Sequence, residues 1–193
     1  GINYTGGLIG QYSSTLTLSN LIAKVPATSS GGYVGGLVGY SSASILNSYA
    51  TGNVVISAGN YAGGLVGSGQ SVNYCYSTGT VTGAGGAKQG LMGTGSSGNN
   101  SFWDTTTSGI SSSTYGTGWT TSQLKTQANY TAYSWDFVSI WGMSSANGYP
   151  MLRWEPGAPA AVSMSTLFAG GSGTSSAPYQ ISNATELSNL FTA

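Results

Sequence analysis

The sequence is short of charge. Among 193 residues only Lys24, Lys88, Lys125, Arg153, Asp104, Asp136, Glu155 and Glu186 carry one. Four cations cannot neutralise a run of phosphates, which argues against nucleic acid and against an anionic membrane surface as partners. Histidine is absent, so imidazole acid–base chemistry is excluded. Cys75 has no second cysteine to pair with, which excludes an internal disulfide and a multi-cysteine metal site. It is expected as a small buried hydrophobe. No apolar run approaches the roughly 18 residues that a membrane-spanning helix needs, so no membrane insertion is expected. No leader-type segment stands at Gly1, and the chain opens inside a repeating pattern, as a mature or excised segment would. Disorder is also excluded, because disordered chains avoid this combination of few charges and 11% aromatic residues.

What the sequence has is repetition. Tyr4-Thr5-Gly6-Gly7-Leu8-Ile9-Gly10 recurs as Tyr33-Val34-Gly35-Gly36-Leu37-Val38-Gly39 and as Tyr61-Ala62-Gly63-Gly64-Leu65-Val66-Gly67. A degenerate copy follows at Gly90-Leu91-Met92-Gly93. From Gly7 to Gly36, Gly64 and Gly90 the steps are 29, 28 and 26 residues. A second block travels in phase: Leu46-Asn47-Ser48-Tyr49-Ala50-Thr51-Gly52-Asn53-Val54, then Tyr74-Cys75-Tyr76-Ser77-Thr78-Gly79-Thr80-Val81, then Asn100-Ser101-Phe102-Trp103. In the first copy Leu21-Ile22-Ala23-Lys24-Val25 holds that place.

A period below 30 is too short for most helical repeats, which need about 33 residues or more. Glycine pairs oppose helix, and Thr, Val and Tyr favour pleated surfaces. Each repeat reads as two or three short strands, and only stacked copies can bury the apolar side. The expected fold is all-β: a β-solenoid, or parallel β-helix, of about four coils. The glycine pairs are expected to supply positive φ or close backbone approach at a corner. In Leu37-Val38, alternation should send one side chain inward and one outward. Leu8, Leu37, Leu65 and Leu91 should form one ladder, Tyr49, Tyr76 and Phe102 an aromatic ladder. Asn47 and Asn100 should join in a polar ladder interrupted by Tyr74, with coils about 4.8 Å apart.

The Gly-Gly-Leu-Val-Gly-Tyr and Asn-Ser-Tyr-Ala-Thr-Gly-Asn-Val strings resemble the GLUG motif of bacterial surface proteins. That resemblance covers residues 1–104. It implies an exported repeat region such as those of large adhesins, filamentous-haemagglutinin-like proteins and the non-catalytic parts of surface peptidases. The motif carries no catalytic residues, so the resemblance implies no enzyme and no cofactor.

Beyond Asp104 the period is lost. Residues 105–118 read as a Ser/Thr/Gly-rich loop or irregular strand, and Thr120 with Gln123 has capping-box spacing for a short helix through Gln127. An aromatic-dense stretch follows, with Tyr130, Tyr133, Trp135, Phe137, Trp141, Tyr149 and Trp154. Its close, Gly148-Tyr149-Pro150-Met151-Leu152-Arg153-Trp154, resembles the segment after GLUG arrays and reads as a cap over the end of the solenoid. Residues 105–155 are therefore expected as an aromatic cap and 156–160 as a linker. In residues 161–193 the Gly-Gly-Ser-Gly-Thr…Pro-Tyr-Gln-Ile-Ser…Glu-Leu pattern resembles the opening of a further array. Asn183 and Glu186 fit N-cap and N3 positions of a last helix with Leu187, Leu190 and Phe191 on its apolar side.

Catalytic and ligand-binding readings find little material. Asp104 and Asp136 are the only aspartates, and a glycosidase or polysaccharide lyase needs clustered acids, so local turn and capping roles are expected. Calcium wants several carboxylates, and a phosphate loop wants a Walker lysine ahead of a long helix; both are absent. Thr51, Thr78 and Thr80 hint at an ice-binding face, but aligned Thr-x-Thr pairs are missing. Sequons stand at Asn3, Asn99, Asn129 and Asn183. The reading that remains is a non-enzymatic structural or adhesive module of a bacterial cell-surface or extracellular filament. Its partners would be copies of itself, head to tail, or adjacent repeats of a longer chain, with Phe168, Tyr179, Ile181, Leu187, Leu190 and Phe191 as assembly residues. The alternative is a glycan-binding module using exposed rings such as Trp103, Trp119 and Trp135.

Overall fold

The computed structural model describes residues 3–160, 169–171 and 174–189. The chain divides into two compact units after Leu124. The first is a β-solenoid of four coils in which every strand pairs in parallel with its equivalent one repeat away. Coil 1 holds β1 (Tyr4–Gly6), β2 (Ile9–Tyr12), β3 (Leu18–Ser19), β4 (Ile22–Ala23) and β5 (Ala27–Ser29). Coil 2 holds β6 (Tyr33–Gly35), β7 (Val38–Ser41), β8 (Ile45–Leu46), β9 (Tyr49–Ala50) and β10 (Val54–Ile56). Coil 3 holds β11 (Tyr61–Gly63), β12 (Val66–Ser68), β13 (Ser71–Asn73), β14 (Tyr76–Ser77) and β15 (Val81–Thr82). Coil 4 holds β16 (Ala87–Gln89), β17 (Met92–Thr94), β18 (Ser97–Asn99) and β19 (Phe102–Asp104). Each complete coil thus has five strands, not two or three. Several are only two residues long, too short to leave an alternating pattern in the sequence.

The register is that of the repeats: Tyr4 pairs with Tyr33 and Tyr33 with Tyr61, while Tyr49 pairs with Tyr76 and Tyr76 with Phe102. Leu37, Leu65 and Leu91 are fully buried on one another's coils, but Leu8 at the end of the stack is 51% exposed. Leu37 and Val38 do not alternate; both are buried. Leu37 lies at the bend before β7 rather than within a strand, so the strand period does not reach it. Its carbonyl accepts the N–H groups of Leu8 and Ile9 from coil 1, at 3.0 and 3.1 Å. The Leu65 carbonyl does the same for Leu37 and Val38.

The glycine pair is explained by close approach and not by positive φ. A Cβ on Gly35 would stand 2.2 Å from the Val38 carbonyl oxygen, and one on Gly36 would stand 2.1 Å from that of Gly64 and 2.9 Å from Ala50 Cβ. The second glycine of each pair therefore gives room to the small residue across the core, Ala23, Ala50 or Ser77. The non-glycine left-handed positions of the coils are Asn20, Asn47, Tyr74 and Asn100, one in each coil, with φ between 46° and 57°. Asn47 and Asn100 are thus turn residues that tolerate this backbone.

After coil 4 the first unit adds α1 (Thr105–Ser108), β20 (Thr117–Trp119) and α2 (Thr121–Leu124). The segment expected to be a loop or irregular strand starts with a helical turn, α1, and leads into the strand β20, which extends the β4-β9-β14-β19 sheet. The single helix expected through Gln127 is two: α2 and, in the second unit, α3 (Gln127–Thr131). The second unit also has an antiparallel hairpin, β21 (Trp141–Met143) with β22 (Pro150–Leu152), and α4 (Ala184–Asn189). Tyr130, Trp135, Phe137 and Trp141 are buried and pack together there, with Tyr130–Trp135 centroids 4.7 Å apart and Trp135–Trp141 4.6 Å. Arg153 ties this unit together by donating to the carbonyls of Phe137, Pro159 and Ala160.

Candidate functional site

The sequence offers no acid cluster, so the features that can act are the stacking core and the two ends of the solenoid. The core contains a column that the repeats only partly reveal. Ser48, Cys75 and Ser101 occupy equivalent positions and are all buried. Each follows the left-handed residue of its coil, where the turn points a backbone N–H inward. Ser48 Oγ accepts the N–H of Leu21 in the coil before it, at 3.0 Å, and Ser101 Oγ accepts that of Cys75 at 3.1 Å. Between them, the Cys75 sulfur takes a backbone hydrogen bond from Ser48. Each side chain also donates within its own coil: Ser48 to Leu46 O, Cys75 to Asn73 O and Ser101 to Asn99 O. The thiol behaves as a third hydroxyl in the column, and burial pushes its pKa from 9.0 to about 12.

The aromatic ladder runs alongside. Tyr49 and Tyr76 stack with centroids 4.8 Å apart and planes 8° apart. Phe102 continues it and stacks on Trp119 at 3.5 Å. Trp119 belongs to the group that closes the coil 4 end. There, Ile110 packs on the Val34–Ile56 side of the core, Tyr115 packs on the Leu37–Leu65–Leu91 side, and Trp103 Nε1 donates to Ile110 O. Asp104 holds this closure in place. Its buried Oδ1 accepts from Thr106 N and Thr107 N at the start of α1, and Oδ2 accepts from Thr121 Oγ1 at 2.7 Å. Asp136 likewise accepts from Val138 N and Ser139 N. Both aspartates do the capping work expected of them.

The coil 1 end is different. Its five strands each stand last in their sheets, and no strand among the described residues pairs with their outer edges. Leu8, Leu16 and Val25 are 51%, 74% and 54% exposed, although Leu8 is equivalent to the buried Leu37 and Leu16 to the buried Ala43. On the other side of the core, Thr5 and Ser29 take positions filled by Val34 and Ile56 one coil later. They line an open recess with Asn3, Tyr4, Gln11 and Thr28.

A comparison with known families finds its match in coil 2. Residues 30–55 match the GLUG motif. The matched residues run from just before β6 into β10, so one GLUG motif is one turn of this solenoid. No curated protein and no solved structure matches the chain.

The remaining sequence-derived candidates fall as follows. The glycines at 6, 7, 10, 35, 36, 39, 63, 64, 67, 90 and 93 sit in the tightly packed parts of the coils, where a Cβ would meet backbone or the facing side chain. Trp103, Trp119 and Trp135 are buried, so they offer no exposed ring for a sugar. The half-exposed column of Tyr4, Tyr33 and Tyr61 turns its ring faces on one another, at 5.7 and 6.0 Å. Thr51 and Thr78 are followed by Asp104 at the next equivalent position, and Thr80 is aligned with Asn53, so no threonine array forms. Tyr179 is half-buried and Ile181 exposed. Phe168, Leu190 and Phe191, and the side chain of Leu187, lie outside the described residues. The serine–cysteine column went unread in the sequence; its one signal was that a small polar or thiol residue follows each left-handed position.

Proposed function

We propose that this GLUG solenoid is a structural, adhesive module of a bacterial cell-surface or extracellular filament, and that it acts by assembly rather than turnover. The observation that carries this reading is the unequal pair of ends. Coil 4 is closed by α1, β20 and α2, whereas coil 1 presents five strand edges unpaired among the described residues and the exposed apolar side chains Leu8, Leu16 and Val25, the first two equivalent to the buried Leu37 and Ala43 of coil 2. Exposed strand edges and clustered apolar groups are what a protein covers or uses for association. A unit with one acceptor end associates head to tail without closing, which builds filaments. The low charge supports the same reading, since charged equivalents would stack like on like about 4.8 Å apart in the coil ladders. Residues 161–193, whose sequence resembles the opening of an array, are the segment that would engage the coil 1 end of a neighbour. Electron microscopy and sedimentation of the full chain beside a form lacking residues 161–193 test this. Filaments or multimers from the full chain only are expected; unchanged assembly after the deletion would reject the mechanism.

A further inference from the structure

Tyr33 and Tyr61 are neighbours on the outer side of the β1-β6-β11-β16 sheet. The parallel register sets Tyr61 beside Tyr33 and Tyr33 beside Tyr4, one strand spacing apart, about 4.8 Å. Alternation sends the next residues, Val34 and Ala62, into the core, where both are fully buried. The phenols are left on the solvent side, each half-buried. The Tyr33 and Tyr61 rings stack with centroids 6.0 Å apart and planes 12° apart, and Tyr4 and Tyr33 repeat this at 5.7 Å and 18°. A second pair supplies the contrast. Tyr49 and Tyr76 stack more closely, at 4.8 Å, but are only 3% and 1% exposed. The chain thus holds one tyrosine stack sealed from solvent and one open to it.

The open stack cannot slip along its strands. Just before it, Tyr33 N donates to Asn3 O at 2.9 Å and Asn60 N to Gly32 O at 2.8 Å. Just after it, a Cβ on Gly35 would stand 2.6 Å from Gly67 N, and one on Gly63 would stand 2.6 Å from Gly93 N, so the backbone has no room to shift. The half-exposed rings, by contrast, can swing about their side-chain bonds. We propose that Tyr33 and Tyr61 form a site of oxidative cross-linking, at which a peroxidase-class oxidant joins consecutive coils through a dityrosine bond. Each phenol loses one electron and its hydroxyl proton, and the resulting radical carries spin on the ring carbons ortho to oxygen. A carbon–carbon bond forms between one such carbon of each ring. The hydrogens on those two carbons then leave and the phenol oxygens are reprotonated as the rings regain aromaticity. The two electrons and two protons given up reduce one hydrogen peroxide to two waters. Holding both partners in one stack turns an encounter between chains into a step within one. The bond ties residues one repeat apart and restricts the unfolded chain, as other cross-links do. It lies on the flank of the solenoid and stands apart from the assembly reading.

Oxidation of the full chain at low concentration by a haem peroxidase and hydrogen peroxide tests the site. The expected product runs as a single chain on a denaturing gel, shows dityrosine fluorescence and is lighter by two hydrogens. Tyr33→Phe keeps the ring and removes the phenol, so it should abolish most of the internal bond. Tyr61→Phe should leave only the coupling of Tyr33 to Tyr4. Tyr133→Phe, at a tyrosine 41% exposed, should leave the yield unchanged. Unfolding the chain in urea before oxidation should lower the yield of the internal bond about tenfold, because the stack no longer aligns the rings. Fluorescence carried only by cross-linked multimers, or undiminished in Tyr33→Phe, overturns the proposal. So does a yield as high in the unfolded chain as in the folded one. Loss of the bond in Tyr133→Phe would assign the coupling to exposure instead of stacking, and overturns it equally.

Discussion

Ser48 Oγ accepts the backbone N–H of Leu21 one coil below and donates to the carbonyl of Leu46 in its own coil, at 3.0 and 2.6 Å. The hydroxyl closes the two polar gaps that a left-handed turn at Asn47 opens in an otherwise apolar core. Ser48→Ala removes both bonds and leaves a buried donor unsatisfied, so it should lower stability by about 1–3 kcal/mol in chemical denaturation. Ser48→Cys should cost less, because coil 3 already runs on a thiol. A loss as large for Cys as for Ala would mean that the column does not hold the coils together.

Cys75 gives the same column a pH signature. Its thiol is pushed from 9.0 to about 12, so the folded chain holds a proton that the unfolded chain releases. Stability from this group is complete below pH 9 and is lost as pH rises from about 9 toward 12, at roughly 1 kcal/mol per pH unit. Tyrosines and lysines titrate in the same range, so the measurement is a comparison of denaturation midpoints between the chain and Cys75→Ser. The difference should favour the unsubstituted chain least at the highest pH. A thiol reagent should label Cys75 slowly at pH 8 until the protein is unfolded.

How far these features can be read from the sequence depends on whether a position repeats its identity or only its role. Leu37, Leu65 and Leu91 repeat their identity, as do Tyr49 and Tyr76, so the coil, its register and both ladders are legible in the period. The column repeats a role across Ser, Cys and Ser, and the first coil has Leu21 there, so similarity of residue type hides it. Asn47 and Asn100 carry a signal of another kind, since asparagine is among the residues that enter the left-handed backbone of these turns. Strands of two residues leave no alternation, which is why five strands per coil are invisible. The exposure of Leu8 depends on its place at the end of the stack and not on its own repeat, whose sequence is ordinary.

The glycine pairs make a sharp contrast testable within one corner. Gly36→Ala would drive a Cβ to 2.1 Å from the Gly64 carbonyl oxygen and 2.9 Å from Ala50 Cβ, and neither neighbour is a flexible side-chain end. The backbone must shift, and a loss of about 1–3 kcal/mol or more is expected. Gly31→Ala, five residues earlier, meets nothing within 4 Å and needs no left-handed backbone. It should be neutral or stabilise by about 0.4–1 kcal/mol through the unfolded chain. Thermal unfolding of the two variants under the same conditions decides. Equal effects would mean that these glycines serve flexibility and not close approach.

Tyr74 is the one coil position where the fold asks the sequence for an asparagine and does not get it. It has φ 54°, beside 46° at Asn47 and 47° at Asn100. A residue with a bulky side chain is strained in this region by roughly 1–2 kcal/mol, and asparagine less so. Tyr74→Asn should therefore recover part of that strain. Against it stands the half-buried ring, whose loss removes apolar area. Because Tyr74 is only partly covered, the backbone gain should match or exceed that loss, for a net change between zero and about 1 kcal/mol in favour of the variant. The reciprocal change, Asn47→Tyr, should destabilise, and Asn47→Gly should be tolerated because glycine enters the left-handed region freely. Denaturation of all three variants separates backbone from side chain: Asn above Tyr at both positions, with Gly also above Tyr at position 47, assigns the effect to φ. A Tyr74→Asn variant that loses more than about 1 kcal/mol would assign it to packing of the ring instead.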